Sequence, residues 1–305
     1  MTLAGRRAAR PDPAASPSPE RRLTAAMVLN LAIALVEVAG GLVAGSLSLV
    51  SDALHNVSDG AGLLISLIAR RLAGRRNSLH HTFGLKRAEI LAAVVNAAAL
   101  LFVSLYLFYE AAAHLVHPAP VRAGFMVGVG LVGLVANLGG TLLLHRDSAG
   151  SLNVRSSYLH LLGDAASSLA VVAGGVAIAA WNAYWLDPLL TVAIGLYVLL
   201  ESYRVLMQAI HVLMEGTPPG LDLHALRSAV EALPGVENMH HIHVWAVGEN
   251  DLHLVAHRGV EDVMVSETHG LRGGVEALLR STFGIGHVTV QLECGHCPDT
   301  GLIKT

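Results

Sequence analysis

Charge is scarce in this chain of 305 residues: Asp, Glu, Lys and Arg together make up 14% of it, and aromatic residues only 5%. With 53% hydrophobic residues and a mean hydropathy of +0.55, the chain is too apolar for one soluble domain and too interrupted for one continuous core. That combination points to a polytopic membrane protein. The net charge is −3 and there is no basic stripe with interleaved aromatics, so nucleic-acid binding is set aside. Cysteine is nearly absent, with only Cys294 and Cys297 near the end of the chain. No HExxH motif occurs, and no repeat of solenoid period. The first 22 residues hold Pro11, Pro13, Pro17 and Pro19 among Ala, Ser and Arg without an apolar core, which reads as a disordered cytoplasmic tail rather than a signal peptide.

What is present is a series of six apolar stretches, at about 24–45, 49–72, 88–114, 123–145, 156–181 and 186–208. Each is close to the roughly 20 residues a spanning helix needs. Basic residues set the orientation. Arg6, Arg7, Arg10, Arg21 and Arg22 precede the first stretch, Arg70, Arg71, Arg75, Arg76, Lys86 and Arg87 follow the second, and Arg146 and Arg155 follow the fourth. The alternate connections hold only Arg122, and this asymmetry of thirteen to one places both termini in the cytoplasm.

After Glu215 the pattern becomes soluble. "GTPPG" punctuates the end of the sixth stretch, and a helix at about 222–233, strands "MHHIHVWAV" and "DLHLVAHRGV", a helix at about 263–283 and a strand "HVTVQLE" follow. The order αββαβ predicts helices on one face of a three-stranded sheet. The expected division is a tail over 1–22, a six-helix transmembrane domain over 23–214, a cytoplasmic metal-binding and dimerisation domain over 215–297, and a tail over 298–305.

The second stretch contains "SDALHNVSDG", with Asp52, His55 and Asp59 inside an apolar helix. An Asp at mid-span costs roughly 2.5–3.5 kcal/mol on insertion scales, so it needs a reason to be there. His55 and Asp59 are spaced i, i+4 and so share one helix face. The fifth stretch repeats the device in "HLLGDAASSLAVV", with His160 and Asp164. Two imidazoles and two carboxylates form an N2O2 set that suits tetrahedral Zn²⁺, and two carboxylate charges cancel the charge of the ion. A lone HxxxD is as readily an interhelical hydrogen bond. Two copies at mid-span favour the metal.

Other polar residues in the stretches carry weaker signals. Asp52 either lies at the mouth of an ion path or pairs with Asn or Ser of a neighbouring helix. Glu37, Asn96 and Asn137 fit interhelical hydrogen bonding better than ion contact. Strand alternation puts His241 with His243, and His253 with His257, on common faces, while His240 and His287 read as surface residues. "CGHC", with Cys294 and Cys297, reads as soft-metal ligation at the end of a cytosolic domain. His80 and His81 in the second connection are a further candidate metal pair.

The motifs "SLSLVSDALHNVSD", "HTFGLKRAEILAA", "HLLGDAASSLAVV" and "HIHVWAVG", in this order, resemble the zinc-transporter branch of the cation diffusion facilitator family over about residues 24–297. The resemblance implies six transmembrane helices, a homodimer, a C-terminal ferredoxin-like α+β cytoplasmic domain, and export of divalent metal in exchange for protons. It puts the transport site on His55, Asp59, His160 and Asp164, the set already selected by spacing. It places His243, His257, His269 and Glu293 at or near positions that bind regulatory zinc in relatives, with Gln291 where one relative has a His. Two departures follow: the His-rich loop some relatives carry before the fifth span is replaced by "HRDSAGSLNVR", and His55 stands where a cadmium-accepting branch has Asp.

Protons are the natural competitor for such a site. Imidazole ordinarily titrates near 6.5, and a ligand nitrogen holds a proton or the ion but not both. The expectation is therefore a zinc/proton antiporter and not an enzyme, resident in a lipid bilayer, with the short loops suggesting a bacterial inner membrane. A membrane metal sensor and an intramembrane zinc metalloenzyme are the rival classes; the latter needs an open coordination position and a nearby base.

Overall fold

The computed structural model describes residues 19–145, 152–248, 251–295 and 301–303. Six long helices come first: α1 Pro19–Ala44, α2 Leu47–Ala73, α3 Ala88–Val116, α4 Ala123–His145, α5 Leu152–Trp181 and α6 Leu186–Leu213. Four of them contain a segment long and apolar enough to cross a membrane, Ala88–Val116, Ala123–Leu142, Tyr158–Trp181 and Leu186–Leu213. In α1 the described apolar part, Leu31–Ala44, is shorter, and α2 is 27 residues long but carries Asp52, Asp59, Arg70 and Arg71. Of the tail expected over 1–22, residues 1–18 lie outside the described residues, and Pro19–Arg22 belong to α1. Proline suits a first helical position, where its missing N–H has no intrahelical acceptor anyway.

Contacts divide the chain into two compact units. The first holds Met1–Gly60 and Ser104–Tyr197, the second Ala61–Val103 and Val198–Thr305. In the first unit α4 packs against both α5 and α1. Glycines permit the approach: a Cβ on Gly40 of α1 would lie 2.6 Å from Val129 Cγ2 of α4, and one on Gly175 of α5 would lie 2.7 Å from Val127 Cγ2. Gly45, with φ of +67°, makes the tight turn between α1 and α2, a backbone region costly for any residue with a Cβ.

The N-terminus of α2 is held by a distant residue. Asp187, fully buried at the start of α6, accepts hydrogen bonds from the backbone N–H of Leu47 (2.7 Å) and Ser48 (3.3 Å) and from the hydroxyls of Ser46 and Ser48 (both 2.6 Å). It caps a helix whose first backbone donors have no partner of their own.

The second unit contains the small α+β part. Its elements are α7 Leu223–Glu231, β1 Asn238–Gly248, β2 Asp251–Gly259, a 3-10 turn Val265–Thr268, α8 His269–Phe283 and β3 Ile285–Glu293. The strand order is β1-β2-β3, antiparallel then parallel. The helices cover one face, burying Leu226 and Val230 of α7 and Val275 and Leu279 of α8 against Met239, Ile242, Val244, Leu254, Ala256 and Ile285. Asp222 caps α7 by accepting from His224 N–H at 2.8 Å and Ala225 N–H at 3.2 Å. The αββαβ order read from periodicity is the order observed.

Strand β1 is irregular where its histidines cluster. Its register with β2 shifts between His240 and His243, and His241 has φ of +49°. At this bulge the chain end returns, and His241 N–H and Ile242 N–H donate to the carbonyls of Gly301 and Leu302. One extra residue in a strand breaks its alternation of faces.

Candidate metal centres

The first centre lies wholly in the first unit. His55 on α2 and His160 and Asp164 on α5 each offer a ligand atom, all within 4.8 Å of one another. His55 Nε2 is 4.0 Å from Asp164 Oδ1, and His160 Nε2 is 3.7 Å from Asp164 Oδ2. The two imidazoles meet edge to face with centroids 5.9 Å apart, and Tyr197 packs edge-on against His55 at 6.1 Å. Metal–ligand bonds of about 2.0–2.2 Å put tetrahedral ligand atoms about 3.4 Å apart, so closing on an ion requires the side chains to draw together by up to about 1.4 Å. Asp59 follows His55 by one helical turn on α2; its side chain lies outside the described residues.

Burial grades across this centre. Asp164 is 2% exposed, His55 11% and His160 40%, so the charged ligand is innermost and one imidazole faces outward. The positions on α5 are fixed by Asp52, which accepts hydrogen bonds from Ser167 and Ser168 (the latter at 3.1 Å). Of the two readings of Asp52, the pairing with a neighbouring helix is the one observed. Asn137 of α4 donates to Ser168 at 3.4 Å, and Asn56 of α2 donates to Glu37 of α1 at 3.3 Å. Sequence reading overlooked Asn56, which adjoins His55, and Asp187, which precedes Pro188 and looks like an ordinary helix start.

The second centre lies in the α+β part. His240, His241 and His257 offer ligand atoms within 4.8 Å of one another. Glu293 joins them, with Oε1 2.8 Å from His257 Nδ1 and Oε2 3.3 Å from His240 Nε2. His240 Nδ1 is fixed by Asn238 Oδ1 at 2.7 Å, and Gln291 donates to Glu293 at 2.8 Å. Burial would raise the titration of Glu293, but His257 and His240 outweigh it and, with the Gln291 donor, hold its carboxyl below the usual carboxylate range.

Several expected positions fall elsewhere. His240 is buried and central, not a surface residue; the bulge turns both His240 and His241 inward and leaves His243 exposed. His243 therefore does not share a face with His241. His269 is exposed at the start of α8, and neither it nor His243 joins a metal-capable group among the described residues. Cys294 is exposed, and Cys297 lies outside the described residues. His80 and His81 are exposed in the connection after α2, outside any such group among the described residues. His287 stacks on His253 with centroids 4.6 Å apart, next to Trp245 and Phe83.

Long apolar helices that carry a His/Asp centre, followed by a His-rich α+β part, define a membrane transporter of metal cations. The chain belongs to the cation efflux family: residues 23–214 match its transmembrane domain and residues 218–294 the cytoplasmic domain of cation efflux proteins. It is 36% identical over 287 residues to the zinc transporter ZitB of Escherichia coli strain K12, covering 92% of this chain and 90% of the relative. It is 36% identical over 262 residues to a cadmium, cobalt and zinc/H(+)-K(+) antiporter of Bacillus subtilis, covering 85% and 84%. Its identity to the metal cation efflux system protein CzcD of Cupriavidus metallidurans is 36% over 278 residues, covering 91% and 88%. Family and relatives are transporters and not enzymes, and the activity of this chain is cation efflux.

Proposed function

We propose that the protein exports zinc across a bacterial inner membrane in exchange for protons, as a homodimer with both termini in the cytoplasm and six membrane-crossing helices. The observation that supports this most is the convergence of His55, His160 and Asp164 from two helices inside the first unit, with Asp59 one turn further along α2. The ligand set is nitrogen and oxygen, suited to a borderline ion such as Zn²⁺, and related divalent cations compete for it according to geometry and supply. The names of the relatives, which include zinc, cadmium and cobalt transport and an H(+)-K(+) antiport, agree with that choice.

Transport differs from storage in needing release. His55 and His160 bind the ion through nitrogens that protons also seek, so a proton entering from outside helps expel the ion there. Rocking of the helices between inward and outward access then converts a proton gradient into zinc export. Cytosolic zinc is proposed as a regulatory ion at the second centre, held by His240, His241, His257 and Glu293, with His243, His269 and Cys294 outside that group among the described residues.

The test is zinc flux into sealed proteoliposomes. Asp164→Ala and Asp59→Ala should each abolish flux while leaving a folded dimer. Normal transport in either variant overturns the assignment. A parent that binds zinc without moving it points instead to the sensor class, and one that turns over a substrate points to the metalloenzyme.

A further inference from the structure

Glu37 lies in the C-terminal half of α1, is fully buried, and belongs to no metal-capable group among the described residues. Its carboxyl is pressed into a notch over Gly133 of α4, where a Cβ would overlap Oε1 and come within 2.9 Å of Cδ. Oε2 receives one hydrogen bond, from Asn56 Nδ2 at 3.3 Å. Among the described residues Oε1 is buried with no hydrogen-bond partner, and so is Oδ1 of the same Asn56.

These two orphan atoms have a common remedy within the protein. Both are acceptors if Glu37 is ionised, so neither can satisfy the other, and each unpaired buried acceptor costs about 1–3 kcal/mol. A protonated Glu37 offers an O–H that lets carboxyl and amide pair reciprocally, acid O–H to Asn56 Oδ1 and Asn56 N–H to the acid carbonyl. The charges around it point the same way. Among the described residues the titratable groups near it are Asp52 of α2 and Asp164 of α5, both acidic, and α4 presents Gly133. No Lys or Arg occurs in 23–69, 123–145 or 156–203 to act as counter-ion. A carboxylate at this depth without a cation is costly.

We propose that Glu37 is a proton-carrying site of the exchange, read out to the ion through Asn56, whose neighbour in the chain is the ligand His55. This rests on the zinc/proton reading above. Before an ion arrives, Glu37 holds a proton. Arrival of Zn²⁺ from the cytosol places two positive charges among the acidic groups, which replaces the missing counter-ion, and Glu37 loses its proton to the cytosol. After the helices rock outward, a proton returns to Glu37 as the ion departs. Each cycle thus moves one ion out and, through this residue, one proton in; no bond other than O–H is made or broken on Glu37.

The test uses the detergent-purified full chain and Zn²⁺ in weakly buffered solution with a pH dye. Glu37→Gln keeps both hydrogen bonds to Asn56 but cannot release a proton. Zinc should still bind, and the protons released per ion should fall by one relative to the parent, with the same loss in proton counterflow per zinc in proteoliposomes. Equal proton release from variant and parent overturns the role of Glu37. As a measurement that needs no variant, infrared difference spectra of the parent should show a carboxylic-acid C=O band bleached by zinc, and a spectrum without that band overturns the proposal. A parent that transports zinc with no proton counterflow overturns the exchange reading itself, which is a separate outcome.

Discussion

Asp187→Asn tests whether the transport site depends on a cap more than a hundred residues away in the chain. Asp187 receives two backbone N–H groups and two hydroxyls at the start of α2, three of them at 2.6–2.7 Å. Hydrogen bonds to a charged group are worth about 1.5–3 kcal/mol each. An Asn keeps one acceptor oxygen and turns an N–H₂ toward the other donors. The serine hydroxyls can rotate to accept from it, but a backbone N–H cannot. About two bonds are lost, together with the favourable charge at a helix N-terminus, for a total of about 3–7 kcal/mol. His55 lies eight residues beyond Leu47, about 12 Å along the helix, so fraying of the first turns shifts a metal ligand. The expected result is a lower midpoint in reversible SDS unfolding and a zinc flux reduced well below that of the parent. The double variant Ser46→Ala, Ser48→Ala, which leaves the backbone cap in place, should fall between the two. If the Asp187→Asn variant matches the parent in both midpoint and flux, the cap does not position α2 and the reasoning is wrong.

His55→Asp should raise the ratio of cadmium to zinc flux several-fold, since a carboxylate offering two oxygens suits a larger ion; an unchanged ratio removes His55 as the selectivity element. In the second centre, His240→Ala or His257→Ala should lower the zinc bound per chain at equilibrium dialysis, while His243→Ala and His269→Ala should leave it unchanged; the reverse pattern would restore the ligand set read from sequence. Burial pushes His253 below its ordinary titration, with Asp251 opposing only in part; burial pushes Asp251 up, but Lys86 and His253 outweigh it and hold it low. Both depressed groups add stability that is present above their unfolded values and lost as pH falls, so protection of β2 amides in hydrogen exchange should weaken first below about pH 6.5, through His253, and again below about pH 4, through Asp251. His253→Gln should erase the first step, and a step that persists in that variant belongs to another group. Gly133→Ala should disturb Glu37 and reduce flux, because the new methyl would overlap the carboxyl packed there and must displace it; a variant with normal flux shows that the notch is not needed.

The helices and the first centre were legible because their signals are local. An i, i+4 spacing puts His160 and Asp164 together by the geometry of one helix, and the structure brings His55 to them from a second. Mean hydropathy and basic residues in alternate connections predict spans without any knowledge of packing. The alternation of apolar residues likewise fixes β1, β2 and β3 to within about two residues. Three things depended on contacts between distant parts of the chain. Asp187 meets Ser46 across 141 positions, and nothing near "LDPLL" says that its carboxylate serves α2 rather than α6. Glu37 and Asn56 are each ordinary in sequence, and their meaning comes from the fold, which seats the carboxyl over Gly133 and brings Asn56 to it. The facing of the β1 histidines departs from strand alternation because periodicity assumes an unbroken pleat, whereas the bulge at His241, with the returning segment Gly301–Leu302 hydrogen-bonded to it, turns His240 inward and His243 outward. Periodicity is a property of regular backbone, and where tertiary contacts interrupt that regularity only the folded chain decides which side chains meet.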